Sequence, residues 1–377
     1  MSDARDPLDV DALVCGGGVA GLFILDALVA RGVRALLCET TALGSAQTTA
    51  SQGILHAGTK YSLGGLVGDD AQEAARAAEM WEAMLDGDGC DLRGVRVLSR
   101  ECYLWRSAGL VAAASLTAAK ATLRTRPEAV AAGERPAWLA GVAGEVLRLP
   151  ERVIDPMSLV SVLAARHAER IRKIEPGYSP ALLSRTLILA AGAGNEELAR
   201  AVGVDAPMQR RPLRQALLRG KLPMAFGHCI DGARTRVTVT SERVGDEVVW
   251  QIGGEVAEAG VAMSPDTFER HVRAELAQVL PTPLPPCSFA SYLVDRAEPR
   301  TPSGRRPPRS HIGAAGAVRV VWPVKLVLAP VVAADIAESI AASLPPTRAT
   351  DARWPEGTPR PPIAARPWEF ITFGART

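Results

Sequence analysis

The chain has 377 residues, of which 47% are hydrophobic and 22% charged, and its 43 basic and 41 acidic side chains leave a formal net charge of +2. This balance is typical of a folded globular protein and excludes a disordered chain, a collagen and a small disulfide-stapled fold. The length predicts one large composite domain or two domains with separate cores. The near-neutral charge argues against nucleic acid as a partner, because proteins that bind it usually carry a basic surface.

Lysine and cysteine are used sparingly in this sequence. Only five of the 43 basic residues are lysines, so a single arginine is a weak functional signal and a lysine within an apolar run is a stronger one. The six cysteines are scattered singly, without metal-binding spacing, which favours free thiols in a reducing compartment. No signal-peptide pattern opens the chain, and charged residues and prolines interrupt its longest apolar stretch, at 318–336. We therefore expect a cytoplasmic protein without a transmembrane segment.

The first elements in chain order predict a dinucleotide-binding unit. An apolar strand at 10–15 leads into a G-x-G-x-x-G motif formed by Gly16, Gly18 and Gly21. A helix, a glycine stop and a second apolar strand follow, and this strand ends at Glu39. The order strand, glycine motif, helix, strand and acidic residue is that of a dinucleotide site.

Each part of this motif has a physical role. The glycines permit a tight turn and a close approach of the backbone to a pyrophosphate. The first helical turn, which begins at Val19 and Ala20, offers N–H groups and the positive end of the helix dipole to the phosphates. Glu39 is spaced to accept hydrogen bonds from a ribose diol.

The segment after Glu39 favours a flavin over a simple nicotinamide cofactor. Residues 40–61 read as a long loop of small and hydroxyl-bearing side chains, where a nicotinamide dehydrogenase would continue with alternating helices and strands. Small side chains let the backbone reach an extended cofactor, and hydroxyl groups can bond to its phosphates and ring edge. The candidate cofactor contacts of this loop are Thr40, Thr48, Thr49, Ser51, Gln52, Gly53 and His56.

Residues 50–61, with the sequence ASQGILHAGTKY, resemble a loop of the FAD-dependent D-amino-acid oxidase superfamily, closest to its glycerol-3-phosphate dehydrogenase and 2-hydroxyglutarate oxidase branches. Residues 153–166 resemble its crossover helix, with Asp155 as N-cap and Pro156 at the first helical position. Residues 186–195 resemble its second cofactor-contacting strand and turn, and residues 321–337 its C-terminal strand and helix. These two segments imply cofactor contacts at Ala191, Gly192, Val324, Lys325 and Leu326.

The resemblance implies an α/β fold, in which a Rossmann-type FAD-binding domain carries an inserted antiparallel-sheet substrate domain. It assigns 1–70, 150–205 and 305–343 to the FAD-binding domain and 71–149 and 206–304 to the substrate domain. The residue patterns predict a helix at 71–85 and strands at 95–105, 215–222, 235–240 and 247–252. The Pro- and Arg-rich residues 344–377 predict an irregular strap or a mobile tail.

The sequence departs from the superfamily pattern in two places. Segment 171–184 is short, in a region that contacts the adenine side of FAD in the family, which puts the affinity for FAD in doubt. Glu298 aligns with the arginine of the family's G-x-R-P-x-T-P-x-G segment, which lies near the substrate. Either Arg296 or Arg300 replaces that arginine, or the substrate is neutral or cationic.

Several side chains are candidates for the reaction itself. A histidine side chain can exchange a proton near neutral pH, so His56 could act as a base or as a hydrogen-bond donor beside the flavin, or could be a structural histidine. Lys325 precedes a predicted helix and could stabilise negative charge on the reduced flavin, or could simply end a strand. The further candidates are Tyr61 and Tyr292 as pocket walls and Arg296 and Arg300 as partners of a carboxylate or phosphate.

We expect no metal site, because the remaining histidines show no paired spacing. These histidines are His167, His228, His271 and His311.

The resemblance implies an FAD-dependent oxidoreductase, either a dehydrogenase or an oxidase. It would take hydride from a C–H next to nitrogen or oxygen of an amino acid, a 2-hydroxy acid, a polyol phosphate or a similar small molecule. The expected electron acceptor is oxygen, a quinone or an electron-transfer protein, and we expect non-covalent FAD in preference to attachment through a histidine. The oligomeric state stays undetermined.

Two other functions stay open. A degenerate family member that binds FAD or a partner without turnover is suggested by the short segment and the displaced arginine. An NAD-linked dehydrogenase is disfavoured by the loop after Glu39 and by the lack of a second glycine motif.

Overall fold

The computed structural model describes residues 10–56, 69–106, 127–175, 184–231, 234–307, 309–344 and 352–376. The strands in these ranges are β1 (Val10–Cys15), β2 (Ala35–Glu39), β3 (Val97–Ser99), β4 (Cys102–Arg106), β5 (Glu128–Ala129), β6 (Val146–Leu149), β7 (Val153–Ile154), β8 (Ile171–Lys173), β9 (Ser184–Leu189), β10 (Met208–Gly220), β11 (Gly227–Asp231), β12 (Arg234–Val244), β13 (Glu247–Gly253), β14 (Cys287–Pro299), β15 (His311–Ala315) and β16 (Val318–Trp322). The α-helices are α1 (Val19–Ala30), α2 (Asp69–Asp86), α3 (Pro156–Arg166), α4 (Asn195–Ala201), α5 (Glu255–Ala259), α6 (Pro265–Val279), α7 (Ala329–Ala342) and α8 (Pro367–Phe370).

A six-stranded, mainly parallel sheet forms the first layer, in the order β15-β16-β9-β1-β2-β8. Strands β1 and β2 are apolar along their length and almost fully buried, as expected of parallel strands covered on both faces. Helix α1 packs against α3 and α7. Helix α3 begins as predicted, because the Asp155 carboxylate accepts a hydrogen bond from the Met157 N–H and Pro156 occupies its first position.

An eight-stranded sheet forms the second layer, in the order β14-β10-β13-β12-β11-β4-β6-β5. One of its faces packs on helix α6 through buried residues that include Trp250 and Phe268. Its other face carries the smaller apolar cluster of Leu217, Val249 and Ala290. Together the layers give the mixed α/β fold that the sequence predicts.

The predicted strand at 95–105 is two strands in different sheets. Strand β3 pairs with β7 in a two-stranded sheet, whereas β4 lies between β11 and β6 in the eight-stranded sheet. The Ser99 hydroxyl donates to the Glu101 carbonyl at 2.6 Å and accepts from the Glu101 N–H, so its side chain turns the backbone between the two strands.

Helix α2 packs with the core of the six-stranded sheet, although the sequence assigned residues from 71 onward to the substrate domain. Its Trp81 is buried, donates its indole N–H to the Val327 carbonyl at 2.9 Å and meets the Phe23 ring edge-on. Leu92 and Val95 belong to the same core. The boundary predicted at residue 71 therefore needs correction, because an amphipathic pattern shows that a helix is half buried without showing what buries it.

Residues 352–376, the C-terminal strap, run across both layers. Trp354 is buried in the core of the six-stranded sheet and donates its indole N–H to the Arg170 carbonyl at 2.9 Å. The Leu43 N–H donates to the Pro362 carbonyl at 2.8 Å, which holds the middle of the strap. Near its end, the Gly374 N–H donates to the Phe289 carbonyl on β14 at 2.9 Å. None of the described helices combines the length and the apolar character needed to cross a membrane.

We predict that Trp354→Ala lowers the free energy of unfolding by about 3–5 kcal/mol, because it leaves a cavity in the core and removes the bond to Arg170. Denaturant titration followed by circular dichroism measures this change. The control is Phe370→Ala, also on the strap but with a side chain that is 65% exposed, for which we expect a change within about 0.5 kcal/mol. Equal effects of the two substitutions would contradict a strap that is anchored at Trp354.

Candidate functional site

The three segments predicted to contact the cofactor meet at one edge of the six-stranded sheet. Strands β16, β9 and β1 are parallel neighbours, so their carboxyl ends and the turns that follow lie side by side. The Ala190 N–H donates to the Cys15 carbonyl at 2.8 Å, and the Trp322 indole N–H donates to the Gly192 carbonyl at 3.2 Å. This edge is where ligands bind in open α/β sheets.

The glycine motif leaves a cradle that a side chain would fill. A Cβ atom on Gly16 would lie 2.6 Å from the Ala191 Cα, and a Cβ on Gly21 would lie 1.9 Å from the Gly16 carbonyl oxygen. The N-cap residue of α1 is Gly18, which has no side chain to cap the helix, so N–H groups of the first turn and the partial positive charge lie at this edge. The Thr48 hydroxyl oxygen accepts the Val19 N–H at 3.2 Å and holds the predicted loop against this helix.

Glu39 is held in place at the end of β2. Its carboxylate accepts the Gly17 N–H at 2.7 Å and the Thr40 and Thr41 N–H groups at 2.8 Å each. A cradle that only glycine fits, a helix N-terminus and an oriented carboxylate suit the diphosphate and ribose of FAD.

Two glutamines tie the predicted cofactor loop to the eight-stranded sheet. The Gln52 amide donates to the Gln251 carbonyl at 2.9 Å and to the Thr238 carbonyl at 3.3 Å. The Gln251 amide donates in return to the Ala50 carbonyl at 2.8 Å. Gly253 leaves room for this contact, since a Cβ there would lie 2.4 Å from the Gln52 Oε1.

Polar side chains surround this contact on the face of the sheet. The Tyr292 hydroxyl oxygen accepts from the Gln251 amide at 3.2 Å, and burial raises the pKa of Tyr292, so the phenol keeps its proton. Gln215 lies opposite Tyr292 in the register of β10 and β14. Its Oε1 is buried and has no hydrogen-bond partner in the part of the chain that the structure describes, which marks it as an acceptor for a ligand.

The other side chains of the predicted loop are fixed locally. The Thr49 hydroxyl donates to the Ala365 carbonyl at 3.3 Å, and the Ser51 hydroxyl accepts the Gly53 N–H at 3.2 Å. Gly53 has a φ of +71°, and a Cβ there would lie 2.0 Å from the Ile154 carbonyl oxygen. These contacts press the loop against β7 and the C-terminal strap.

Four charged side chains form an ion network beside this loop. The Arg96 guanidinium lies 2.9 Å from the Asp155 carboxylate and also contacts Glu242, while Arg366 of the strap pairs with both acids. Asp155 and Glu242 are buried. Burial raises the pKa of Glu242, against the opposing effect of the two guanidinium groups. The network joins β3, α3, β12 and the strap, and the sequence predicted only the N-cap role of Asp155.

The turn that follows β16 has an unusual backbone. Val324 is buried with a φ of +55°, and the Lys325 N–H donates back to the Pro323 carbonyl at 2.7 Å in a three-residue turn. Positive φ is a rare conformation for a β-branched residue, and such strain concentrates at functional sites. Lys325 and Leu326 are half-buried here, at the predicted cofactor position just before α7.

Arg296, one of the two arginines predicted to meet the substrate, has other partners. Arg296 donates to the Glu258 carboxylate at 3.0 Å and to the Arg211 carbonyl at 3.1 Å. Glu298, which takes the place of the family arginine, is buried in a two-pronged ion pair with Arg211, at 2.6 and 2.9 Å. Arg300 is exposed and lines a separate crevice with His311 and Trp322.

Tyr61 lies outside the described residues, as do residues 176–183, the middle of the segment that is short relative to the family. Their predicted roles stay predictions.

His56 lies within hydrogen-bond distance of a buried carboxylate. Its Nδ1 lies 3.3 Å from the Glu151 carboxylate, and the His228 ring lies next to both. Donor atoms of these three residues lie within 4.8 Å of one another, although nothing in their spacing along the chain links them.

Sequence reasoning missed Gln251, Glu151, His228 and Arg366. A signal existed for Gln251: in β13 the residues Val248, Trp250 and Ile252 face α6, so period-two alternation puts this polar residue on the opposite, equally buried face. For the other three there was no local signal, because the acidic or histidine partners that place them in the site are more than 75 residues away in the chain.

Comparison with known proteins identifies relatives along nearly the whole chain. The sequence profile of the family described as FAD dependent oxidoreductase matches residues 11–329. A Pseudomonas aeruginosa protein named probable FAD-dependent oxidoreductase PA4991 is 36% identical over 387 residues, which cover 96% of this chain and 98% of that protein. The crystal structure of PA4991 has a TM-score of 0.80 at 32% identity, covering 97% and 99% of the two chains.

More distant structures share the fold. Glycine oxidase from Geobacillus kaustophilus has a TM-score of 0.62 at 14% identity, covering 90% of this chain and 97% of its own. L-α-Glycerophosphate oxidase from Mycoplasma pneumoniae, solved with FAD bound, has a TM-score of 0.60 at 13% identity, covering 95% and 99%.

We predict that Gly21→Ala abolishes or strongly reduces retention of FAD, because the added Cβ collides with the Gly16 carbonyl and displaces α1 from the glycine turn. The ratio of flavin absorbance to protein absorbance after purification measures it. Gly133→Ala is the control, since a Cβ at this exposed residue meets no atom within 4 Å, and it should keep full flavin content. Normal flavin content in Gly21→Ala would contradict the cradle.

We predict that Arg366→Ala destabilises the fold by about 1–3 kcal/mol, because it leaves buried Asp155 and Glu242 with one guanidinium fewer. The pKa of Glu242, already raised by burial, rises further in the variant, so ionising it costs more in the folded state. The loss of stability should therefore be larger at neutral pH than at mildly acidic pH. Denaturant titrations of the variant and the wild type at each pH measure it.

The matched control for this prediction is Arg376→Ala, because Arg376 lies on the same strap and pairs with Glu247 but is half exposed. We expect it to cost less than about 1 kcal/mol. A loss for Arg366→Ala that does not depend on pH would show that Glu242 is not the group affected.

Proposed function

We propose, because this chain belongs to the FAD-dependent oxidoreductase family, that it takes hydride from a C–H next to nitrogen or oxygen in a small polar molecule. FAD, when bound, supplies the two-electron acceptor for this reaction. We propose that the chain holds FAD without a covalent bond, through the glycine cradle, Glu39 and the turns at 191–192 and 324–326. Oxygen, a quinone or an electron-transfer protein would reoxidise it.

The observation that carries the proposal is the polar face of the eight-stranded sheet above the cofactor loop. The Gln52 and Gln251 amides hold that loop and that face together. A small molecule bound on this polar face would meet the Tyr292 hydroxyl and the buried Gln215 Oε1. These groups orient a substrate through hydrogen bonds and exclude water from the reacting carbon.

His56 is the candidate base. It lies four residues after Gln52 in the predicted flavin-facing loop, and an imidazole accepts a proton near neutral pH. In the proposed reaction it accepts the N–H or O–H proton of the substrate as the neighbouring carbon gives up its hydride, so the product is an imine or a carbonyl compound. Lys325 and the start of α7 would stabilise the negative charge that the reduction creates.

The charges favour a substrate that is recognised mainly by neutral groups. The guanidinium groups of Arg211, Arg296 and Arg366 are each paired with a carboxylate, and Glu298 stands where the family has an arginine. We therefore propose that the substrate is an amine, an amino acid or an alcohol. Polyol phosphates and dicarboxylic 2-hydroxy acids, which the glycerol-3-phosphate dehydrogenase and 2-hydroxyglutarate oxidase branches suggest, are less favoured. The names glycine oxidase and L-α-glycerophosphate oxidase show that proteins of this fold use both kinds of substrate.

An anaerobic screen tests the function. The FAD-loaded protein is mixed with amino acids, secondary amines, alcohols, 2-hydroxy acids and polyol phosphates, and we expect loss of the visible flavin absorbance with a member of the first three groups. Bleaching by a chemical reductant but by no substrate class would instead support a non-catalytic flavoprotein. Readmitting oxygen, then a quinone, to the reduced protein distinguishes an oxidase from a dehydrogenase.

We predict that His56→Asn slows reduction of the bound flavin by about 100- to 10,000-fold, the usual contribution of a general base, without loss of FAD. Stopped-flow spectroscopy with the substrate from the screen measures the rate. His271→Asn, on helix α6 on the far side of the eight-stranded sheet, should reduce flavin at the wild-type rate. Equal rates in the two variants would remove His56 from the mechanism.

A further inference from the structure

Two short segments of the chain lie antiparallel at His56 and place a buried acid opposite it. The Ile154 N–H donates to the Gly53 carbonyl at 3.0 Å, Ile54 bridges Val153, and the Leu55 N–H donates to the Arg152 carbonyl at 2.9 Å. One more step along the same register puts residue 56 opposite residue 151. The pairing of their side chains is thus imposed by backbone hydrogen bonds.

The acid at this position is Glu151, whose side chain is fully buried. Its Oε2 lies 3.3 Å from the His56 Nδ1, and the His56 side chain keeps 21% of its surface exposed. A carboxylate in the interior is tolerated only beside hydrogen-bond donors or positive charge. An Nδ1–H on His56 is such a donor.

A second imidazole completes the arrangement. His228 on β11 is fully buried, and its ring lies 5.4 Å from the His56 ring, centre to centre, at a tilt of 36°. Its Nδ1 lies 2.8 Å from the Thr238 hydroxyl on β12, which fixes the ring, and its Nε2 lies 3.9 Å from the same Glu151 oxygen. Thr238 also accepts the Gln52 amide through its carbonyl, so the eight-stranded sheet positions both the loop and this histidine.

We propose that Glu151 is a positioning residue that accepts the Nδ1–H of His56, fixes that tautomer and thereby leaves the basic lone pair on Nε2, with the buried His228 ring packed beside the pair. A carboxylate that orients an imidazole and stabilises its protonated form raises the efficiency of a histidine base. The proposal rests on the proposed function in one respect, since it takes His56 to be the base.

Histidine-selective ¹⁵N labelling of the FAD-loaded protein tests the proposal without a substrate. The chain has only five histidines, so the signals that disappear in His56→Asn and in His228→Asn identify the ring nitrogens of these two residues. We expect the His56 Nδ1 to resonate as a protonated nitrogen and the Nε2 as an unprotonated one. In Glu151→Gln this preference should weaken and the signals should shift toward those of a free imidazole.

A second histidine–carboxylate pair in the same chain provides the control. The His167 Nε2 lies 2.8 Å from the Asp26 carboxylate, buried among α1 and α3 residues. Asp26→Asn should move the His167 signals and leave those of His56, whereas Glu151→Gln should do the reverse. If Glu151→Gln does not fold, Glu151→Asp keeps the charge on a shorter side chain and should give an intermediate shift of the His56 signals.

The kinetic measurement separates this proposal from the proposed function. With the substrate from the screen, Glu151→Gln should slow flavin reduction by about 10- to 1,000-fold, with a change in substrate affinity of less than about threefold. Glu151→Asp should restore part of the rate. If the ¹⁵N shifts are as expected but His56→Asn reduces flavin at the wild-type rate, the base role fails while the Glu151–His56 pairing stands.

Two results would overturn the proposal itself. One is a His56 Nδ1 that is unprotonated in the wild-type protein, or His56 signals that move in neither Glu151 variant. The other is one equivalent of a divalent metal in the purified protein that is lost in Glu151→Gln, because the same three side chains could instead hold a metal ion.

Discussion

The rest of the site depends on two amide hydrogen bonds, from the Gln52 side chain to the Gln251 carbonyl and from the Gln251 side chain to the Ala50 carbonyl. They join a loop at the carboxyl edge of the parallel sheet to the polar face of the antiparallel sheet. Buried amides hold a fixed distance and orientation, because each unmet donor or acceptor would carry a desolvation cost. The two hydrogen bonds thereby fix the position of the proposed substrate-binding side chains on the sheet relative to the proposed base on the loop.

Electrostatic neutralisation is the second constraint on this site. Asp155 and Glu242 are buried next to the loop, and Arg96 and Arg366 balance them. Because Arg366 comes from the C-terminal strap, the end of the chain takes part in the junction of the two sheets. The same logic applies at Glu298, where Arg211 offsets the carboxylate that stands in place of the family arginine. The site is crowded with charge, yet the described polar face that would meet a substrate is largely neutral.

Local patterns predicted the elements whose form depends on backbone sterics. The glycine motif, the N-cap at Asp155 and strands β10, β12 and β13 of the second sheet each depend on neighbouring residues, and each overlaps the position that the sequence indicated. The sequence predicts helix α2 in the substrate domain, whereas this helix packs on the core of the six-stranded sheet, and the sequence predicts one strand at 95–105, where the structure has two. In both cases the local pattern was right about secondary structure, and packing partners distant in the chain decided the rest.

The sequence by itself therefore determined the dinucleotide-binding unit, because the glycine spacing and the acid at the end of β2 act over about 25 residues of local backbone. The loop after Glu39 and the family resemblance indicated FAD and an oxidoreductase. Only the tertiary structure decided which side chains share the space around the reacting groups. Glu151 and His228 meet His56, and Arg366 meets Asp155, through contacts that span roughly 75 to 210 residues and leave no periodic trace in the sequence. Such contacts arise from the way the two sheets dock, and no local propensity encodes that docking.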